Sequence, residues 1–341
     1  MQMSFNIYKK SLLSVCFLLL MLKINSQDQK LWITYEGQNG PGKGKNIVLI
    51  CGDEEYRSEE ALPMMAKILA QHHGFTCTVL FAIDSAKGTI EPDTVNNIPG
   101  LHLLKNADLV IMSLRFRELP DRQMKFIDQY IMDGKPIIAL RTSTHAFRYK
   151  INKTSKYAKY GIDSKIKGWE KGFGKTVLGE TWVSHHGHHG VEGTRGTTNG
   201  VMESHPILKG VQDVWGLSDV YTVGDLGHGT QVLQYGISIL GLTSSALPNY
   251  NKSVMPIAWI RNYKAESGKT CRIFATTMGA SVDLKSEGLR RLIVNASYWA
   301  TNMETKIDKE SNVTIVGSYN PTMFGFKNGP KGLKPGHFEL K

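Results

Sequence analysis

The chain has 341 residues and a formal net charge of +11, from 41 lysines and arginines against 30 acidic residues. This length suits one large α/β domain or two small domains, and the absence of a Pro/Ser-rich linker favours one domain. The positive charge suits either solubility or attraction of anionic substrates, such as carboxylated or sulfated glycans. Without an RNA-binding motif, zinc-finger spacing or basic helix, the sequence argues against a nucleic-acid partner.

The N-terminus has the pattern of a secretory signal peptide, predicted over residues 1–26. Two lysines precede an apolar run at residues 12–22, and a polar stretch ending at Ser26 follows. The run is about eleven residues long, shorter than the roughly twenty that a membrane span needs. We therefore expect an exported protein, periplasmic or secreted, with no stable membrane span and, after cleavage, a net charge of +8. Lipid attachment at Cys16 is the alternative.

Apolar strands then alternate with amphipathic helices. Residues 46–51 form a continuous apolar run, typical of a strand buried on both faces of a parallel sheet. Further strands are predicted at residues 75–82, 107–114, 136–140, 231–238, 255–263 and 271–278, and helices at 58–73, 119–132 and 286–300. This order predicts a doubly wound, mainly parallel α/β sheet, flavodoxin-like, with residues 46–51 in its interior and long irregular insertions at residues 150–230.

We expect this single domain to occupy residues 27–303, followed by a Gly/Pro-rich, basic C-terminal tail at residues 304–341. Cys51, Cys77 and Cys271 each lie in or beside an apolar β-type run. That placement favours buried free thiols over a disulfide framework.

Four imidazoles fall within residues 185–189, interrupted by one glycine. Imidazole titrates near neutrality and is the commonest metal ligand, so the loop predicts proton transfer, metal binding or anion contact. A solvated polar loop is the alternative. His185 and His189 are the candidate ligands for a divalent metal, although no carboxylate at a recognisable metal spacing accompanies them. The sequence leaves the cofactor open.

Polar and charged residues also follow four of the predicted strands. In an open parallel sheet, ligands bind beyond the carboxyl ends of the strands, so these residues should converge on one site. The candidates for catalysis are His145, His186, His188, Tyr56 and Glu55. The candidates for substrate binding are Arg57, Arg115, Arg117, Arg141 and Trp182.

Each of these assignments has an alternative. The arginines could bind a carboxylate or sulfate through paired hydrogen bonds, or Arg115 and Arg117 could form structural ion pairs with Glu118 and Asp121. His145 could be a packed core histidine. The turn that contains it resembles the elbow that presents Cys or Ser in hydrolases and amidotransferases, but it lacks the flanking glycines. A covalent acyl mechanism is therefore disfavoured, and acid–base chemistry by His, Tyr and Glu remains.

Several ordered motifs extend over about residues 45–325. They are GDEEYRSEEALP at 52–63, RFRELP at 115–120, LRTSTHAF at 140–147, GETWVSHHGHHG at 179–190, TMGA at 277–280 and SEGLRRL at 286–292. Together they resemble the ThuA-like (trehalose-utilisation) family. The resemblance implies a class I glutamine-amidotransferase-like sheet and a role in carbohydrate breakdown, often in polysaccharide degradation. The family lacks the amidotransferase cysteine, and so does this chain at its elbow, which argues against glutamine hydrolysis.

Three functions remain open. The first is an enzyme that acts on anionic, uronate- or sulfate-bearing oligosaccharides by acid–base elimination, as a dehydratase or carbon–oxygen lyase does. That chemistry needs neutralisation of the carboxylate, a base and an acid. The second is a hydrolase or isomerase of keto-glycosides that uses metal-bound or His-activated water. The third is a non-catalytic sugar-binding protein.

Overall fold

A mixed sheet of ten strands runs through residues 31–340, the part of the chain that the computed structural model describes. The predicted signal peptide lies outside the described residues. The described residues contain twelve strands, ten in this sheet and two in a separate pair. They are β1 (Trp32–Tyr35), β2 (Asn46–Gly52), β3 (Thr76–Leu80), β4 (Ile83–Asp84), β5 (Thr89–Ile90), β6 (Leu109–Leu114), β7 (Ile137–Leu140), β8 (Gly193–Thr198), β9 (Trp215–Gly216), β10 (Gln231–Ile239), β11 (Met255–Lys264) and β12 (Thr270–Thr276). The sheet order is β1-β3-β2-β6-β7-β12-β11-β10-β8-β9, with β4 and β5 paired separately.

Parallel pairing joins β3, β2, β6, β7 and β12. The predicted α/β class is confirmed, and β2 lies in the sheet interior between β3 and β6. Beyond β12 the strands β11, β10, β8 and β9 are antiparallel. The link between β11 and β12 is too short for a parallel crossover, which needs a dozen or more residues, so these neighbours must run in opposite directions.

Both faces of the parallel strands are covered. Ile47, Leu49 and Cys51 of β2 face one apolar cluster, and Val48 and Ile50 face another, as the alternation of side chains along a strand requires. Helices α1 (Ser58–Gln71) and α3 (Glu287–Ala300) pack into the first cluster, and α2 (Asp121–Met132) packs into the second.

One detail of the sequence-based prediction changes. The region of residues 150–230, predicted to be irregular, contains β8 and β9. Strand β8 is rich in Gly and Thr and has no apolar run, so hydropathy does not reveal it. Cys51, Cys77 and Cys271 are buried free thiols, as predicted. Among the described residues, no helix is long and apolar enough to cross a bilayer.

The C-terminal residues pack against the body of the protein. Tyr35 Oη donates to the carbonyl of Phe338 at 2.7 Å, and Tyr319 Oη donates to the carbonyl of Ser281 at 2.7 Å. Val313 and Phe324 are buried. Contacts of this kind are part of the single compact unit that residues 31–340 form.

His73 is expected to make the stability of the fold depend on pH. Its Nδ1 accepts a hydrogen bond from Tyr298 Oη at 2.9 Å, and its Nε2 donates to the carbonyl of Asn312 at 2.9 Å. Both bonds suit the neutral ring, and burial lowers the pKa of His73 to about 4. Only the unfolded chain takes up this proton between pH 6.5 and 4, so the stabilisation is complete above pH 6.5 and is lost as pH falls through this range.

The expected loss is about 3 kcal/mol of unfolding free energy across this range. Urea unfolding at pH 7.5, 6 and 4.5 measures it, with His73→Gln as the reference chain. Equal pH slopes for the two proteins would contradict this prediction.

Candidate functional site

Asp219 lies at the centre of a group of histidines above the sheet. His185 Nδ1 is 2.7 Å from Asp219 Oδ2, and His189 Nδ1 is 3.1 Å from Asp219 Oδ1. A carboxylate only accepts hydrogen bonds, so Nδ1 of each ring carries the proton and donates it to Asp219. In the neutral ring, Nε2 then carries the lone pair.

Asp219 is ionised although it is fully buried. Burial raises the pKa of Asp219. The Arg141 guanidinium and the hydrogen bonds from His185 and His189 outweigh burial and hold the pKa well below its usual range. The carboxylate therefore keeps its charge at neutral pH and orients both imidazoles.

Backbone contacts fix the histidine loop beside Asp219. The amides of His186 and Gly187 donate to the carbonyl of Val220 at 2.9 and 3.0 Å. A Cβ atom on Gly187 would lie 2.8 Å from the Asp219 Cβ. Glycine at this position therefore allows the close approach that the two hydrogen bonds need.

A second buried carboxylate anchors the segment that carries Asp219. Asp283 accepts from the Ser218 amide at 2.9 Å and from Ser218 Oγ at 2.6 Å. It also accepts from the amides of Gly279 and Ala280, both at 3.1 Å, just beyond β12. Asp283 thus ties the Asp219 segment to the carboxyl end of a central strand.

The prediction that Arg141 binds substrate does not fit its burial. The side chain is fully buried and donates to the carbonyls of Asp219 and Thr277 at 2.6 and 2.7 Å. It also donates to Asp219 Oδ1 at 2.9 Å and to Tyr56 Oη at 3.1 Å, and its Cζ lies 3.7 Å from the centre of the Tyr221 ring. Arg141 is a positioning residue for Asp219 and Tyr56.

His189 lies between two carboxylates. Its Nε2 is 3.4 Å from Glu55 Oε1, on the side of the ring opposite Asp219. Tyr56 Oη is 3.5 Å from His189 Nδ1, and the Phe324 ring of the C-terminal region is 5.2 Å from the imidazole. Burial raises the pKa of Glu55; the Arg115 charge opposes this effect, and nearby Asp53 adds to it.

His145 lies close to the same group and is almost completely buried. Its ring is 4.9 Å from Phe116 and 5.7 Å from Trp182, and Trp182 is 5.8 Å from His185. Burial lowers the pKa of His145 well below its usual value, and the positive charge of Arg115 adds to the effect. His145 is therefore a neutral imidazole at pH 7.

The other two loop histidines lie outside this group. His186 Nε2 donates to the carbonyl of Ser253 at 2.8 Å, and the His188 side chain is exposed. The His188 amide donates to Glu192 Oε2 at 2.8 Å. The structure therefore brings together His185, His189 and His145, and the predicted catalytic role of His186 and His188 does not fit this placement.

Arg115 and Arg117 form structural ion pairs, but not with the predicted partners. Arg115 pairs with Glu54 and, at 3.2 Å, with Glu55; Arg117 pairs with Glu54 at 2.6 Å. Arg117 is fully buried and also donates to backbone carbonyls. Glu118 instead accepts from the amides of residues 150–152. Of the two arginines, only Arg115 retains some exposure, at 18%.

Arg57 holds the C-terminal region rather than a ligand. It is buried, donates to the Gly325 carbonyl and Asn328 Oδ1, and lies 3.6 Å from Glu59. Its predicted role in substrate binding therefore does not fit.

Replacing Arg57 with Met is expected to loosen residues 325–340, because hydrogen bonds from a charged group contribute about 1.5–3 kcal/mol. Trypsin cleavage at Lys327 and Lys331 should speed up roughly tenfold, since local opening exposes these sites. Lys43→Gln, a change on a distant surface, is the matched control. Unchanged cleavage rates in Arg57→Met would show that other contacts hold the segment.

Within residues 31–340, one set of side chains could hold a metal ion. The ligand atoms of His185, His189 and Asp219 all lie within 4.8 Å of one another. Two imidazoles and one carboxylate form a ligand set that divalent transition metals accept. A metal at these atoms would replace the protons now shared with Asp219, and the Arg141 charge on the same carboxylate opposes it.

Asp219 and Tyr221 are the site residues that sequence reasoning missed. They lie 30 or more residues beyond the histidine loop, within the region that was predicted to be irregular. The only local signal is an acidic residue next to the apolar pair Val220 and Tyr221.

No family model and no curated protein matches the chain. Similar solved structures include a protein described as ThuA-like from Parabacteroides merdae, with 13% identity and a TM-score of 0.48, covering 76% of this chain and 91% of that chain. A second, from Bacteroides uniformis, has 13% identity and a TM-score of 0.44, with coverage of 78% and 95%. The glutaminase domain of Trypanosoma brucei CTPS with bound acivicin has 12% identity and a TM-score of 0.35, with coverage of 80% and 97%. All three TM-scores are below 0.5, so these similarities support no conclusion about this chain.

Proposed function

We propose that this protein is a carbohydrate-active enzyme that works by acid–base elimination, as a carbon–oxygen lyase or dehydratase does. The observation that carries the proposal is the pair of imidazoles, His185 and His189, held on the buried carboxylate of Asp219. Elimination needs a base for the carbon-bound proton and an acid for the leaving oxygen. The carbohydrate part of the proposal comes from the resemblance of the sequence motifs.

The two imidazoles suit different roles. His185 donates from Nδ1 to Asp219, so its neutral Nε2 is free to accept a proton. His189 has a carboxylate facing each nitrogen, so a proton on either nitrogen finds an acceptor. We assign His185 as the base and His189 as the acid. Burial raises the pKa of Tyr56, so its phenol stays protonated. The side chain is fully buried between Arg141 and His189, so its predicted catalytic role becomes one of positioning His189.

The substrate is proposed to be a uronate- or sulfate-bearing oligosaccharide, supported by the net charge of the predicted mature chain. The strand-end arginines lend this point less support than the sequence suggested. Arg57, Arg117 and Arg141 are buried against protein acceptors, and Arg115 faces Glu54 and Glu55. Recognition of the anionic group therefore has to come from elsewhere on the surface.

A second candidate is a hydrolase or isomerase of keto-glycosides. The ligand set of His185, His189 and Asp219 favours it, because a divalent cation there could polarise a ketone or activate water. Export to the periplasm or medium is proposed with either candidate, on the pattern of residues 1–26.

Mass spectrometry of defined sugars incubated with the protein tests these functions. Uronate-ended oligosaccharides, their neutral counterparts and keto-glycosides are each offered with and without EDTA. Loss of water or chain cleavage with a new enone absorbance, unaffected by EDTA, supports elimination. Gain of water or isomerisation of keto-glycosides that EDTA abolishes supports the second candidate. Binding without any mass change would leave a sugar-binding protein.

A further inference from the structure

Almost all of the net charge of the predicted mature chain lies in one segment, residues 148–175, which we call the basic segment. It contains nine basic and two acidic residues, a net charge of +7. The other residues from 27 onward contain 29 basic and 28 acidic residues, a net charge of +1. A positive charge spread for solubility would not concentrate in this way, so the segment is a local electrostatic feature.

A groove of about 580 Å³ opens along the basic segment. Lys150, Lys153 and Lys165 line it together with Arg148, and all three lysines are exposed. Among the described residues, none of these three lysines forms an ion pair. Arg148 pairs with Asp163, which is itself 59% exposed. The groove therefore presents ammonium groups that no acidic side chain neutralises.

The basic segment is attached to the candidate site at both ends. It begins three residues after His145 and ends seven residues before Trp182. The Arg148 Cζ lies 5.2 Å from the centre of the Phe116 ring, and that ring is 4.9 Å from the His145 ring. A chain bound in the groove could therefore continue past Phe116 toward the imidazoles.

We infer that the basic segment is a binding subsite for a polyanionic polysaccharide, whose sulfate or carboxylate groups contact Lys150, Lys153 and Lys165. The inference rests on the proposed function in one respect, that the bound chain is also the substrate. It supplies the recognition of negative charge that the buried arginines do not.

The chemistry of the segment favours a glycan over a nucleic acid. Single-stranded nucleic acids bind to exposed aromatic rings on which bases stack. The aromatic side chains of the segment are all buried, namely Tyr149, Tyr157, Tyr160, Trp169 and Phe173. The exposed side chains are most often lysines, together with Ile151 and Ile166, and the lysines suit a chain of repeating anionic groups.

The test is binding of the full chain to dextran sulfate, with uncharged dextran as the matched probe. The triple variant K150Q/K153Q/K165Q is compared with K43Q/K105Q/K306Q, which removes the same charge from other exposed surfaces. We expect the wild type and the control to bind dextran sulfate and not dextran. The groove variant should bind at least tenfold more weakly, with a smaller dependence of affinity on salt. Far-UV circular dichroism and urea midpoints check that both variants fold.

Equal losses in the two triple variants would show that net charge alone is responsible and would overturn the inference. So would tighter binding to single-stranded RNA or to phosphatidylserine vesicles than to dextran sulfate. Binding is measured without turnover, so its outcome is independent of the proposed function. A protein that binds dextran sulfate through the groove but transforms no sugar would contradict only the proposed function.

Discussion

Replacing Asp219 with Asn is expected to lower the free energy of unfolding by about 3–5 kcal/mol, because it leaves the Arg141 charge buried without its counter-ion. Both side chains are fully buried, and their atoms approach to 2.9 Å. An amide also offers one oxygen where the carboxylate offers two, so it cannot accept from both His185 and His189 in the present geometry. We expect turnover to fall on the order of 10²–10⁴-fold as the two rings lose their orientation.

Urea unfolding at pH 7 measures the stability of Asp219→Asn, and Asp163→Asn is the matched control. Asp163 also pairs with an arginine, at 2.6 Å, but both partners are substantially exposed. An exposed pair contributes about 0.2–1 kcal/mol. Equal losses of unfolding free energy in the two variants would contradict the prediction, because the buried Arg141–Asp219 pair would then contribute no more than an exposed pair.

The sequence predicts the parallel half of the sheet well, because the pattern that identifies each strand lies within the strand itself. Strands β2 and β6 consist almost entirely of apolar residues, as burial on both faces of a parallel sheet requires. Strand β8 shows the limit of this reasoning. The strand is held by backbone pairing with β10, and nothing within its own sequence indicates that pairing.

The location of the site was also predictable, but the roles within it were not. Strand ends converge on one edge of the sheet, which explains why His145, Tyr56 and the histidine loop lie close together. Which histidines bond to the buried carboxylate depends on the position of Asp219, a partner 30 or more residues away. Two hydrogen bonds at that separation leave no local pattern in the sequence.

The arginines illustrate the same point for charge. Arg115 and Arg117 have acidic neighbours in sequence, yet both pair with Glu54, more than 60 residues away. Parallel pairing of β2 with β6 brings the two strand ends together. The ion pairs are therefore a consequence of the sheet topology. The local sequence suggests arginines that are free to bind a ligand, whereas in the fold their charges are paired with Glu54.

His185→Gln is expected to lower the rate of the proposed elimination on the order of 10²–10⁴-fold, because it removes the base while leaving the substrate contacts in place. His188→Gln is the matched control: it changes the same residue type in the same loop, but the His188 side chain is exposed, and the loop histidines that bond to Asp219 are His185 and His189. We expect the control to stay within about twofold of the wild type, since surface changes have small effects.

The combination of His185→Gln with Asp219→Asn separates catalysis from folding. If Asp219 acts by orienting His185, the double variant should turn over no more slowly than the slower single variant, because residues that act as a unit are not additive. Its loss of stability should still match that of Asp219→Asn alone, since this loss comes from the Arg141 pair. Multiplied rate losses in the double variant would show that the two residues act independently, and His145 would then be the better candidate for the base.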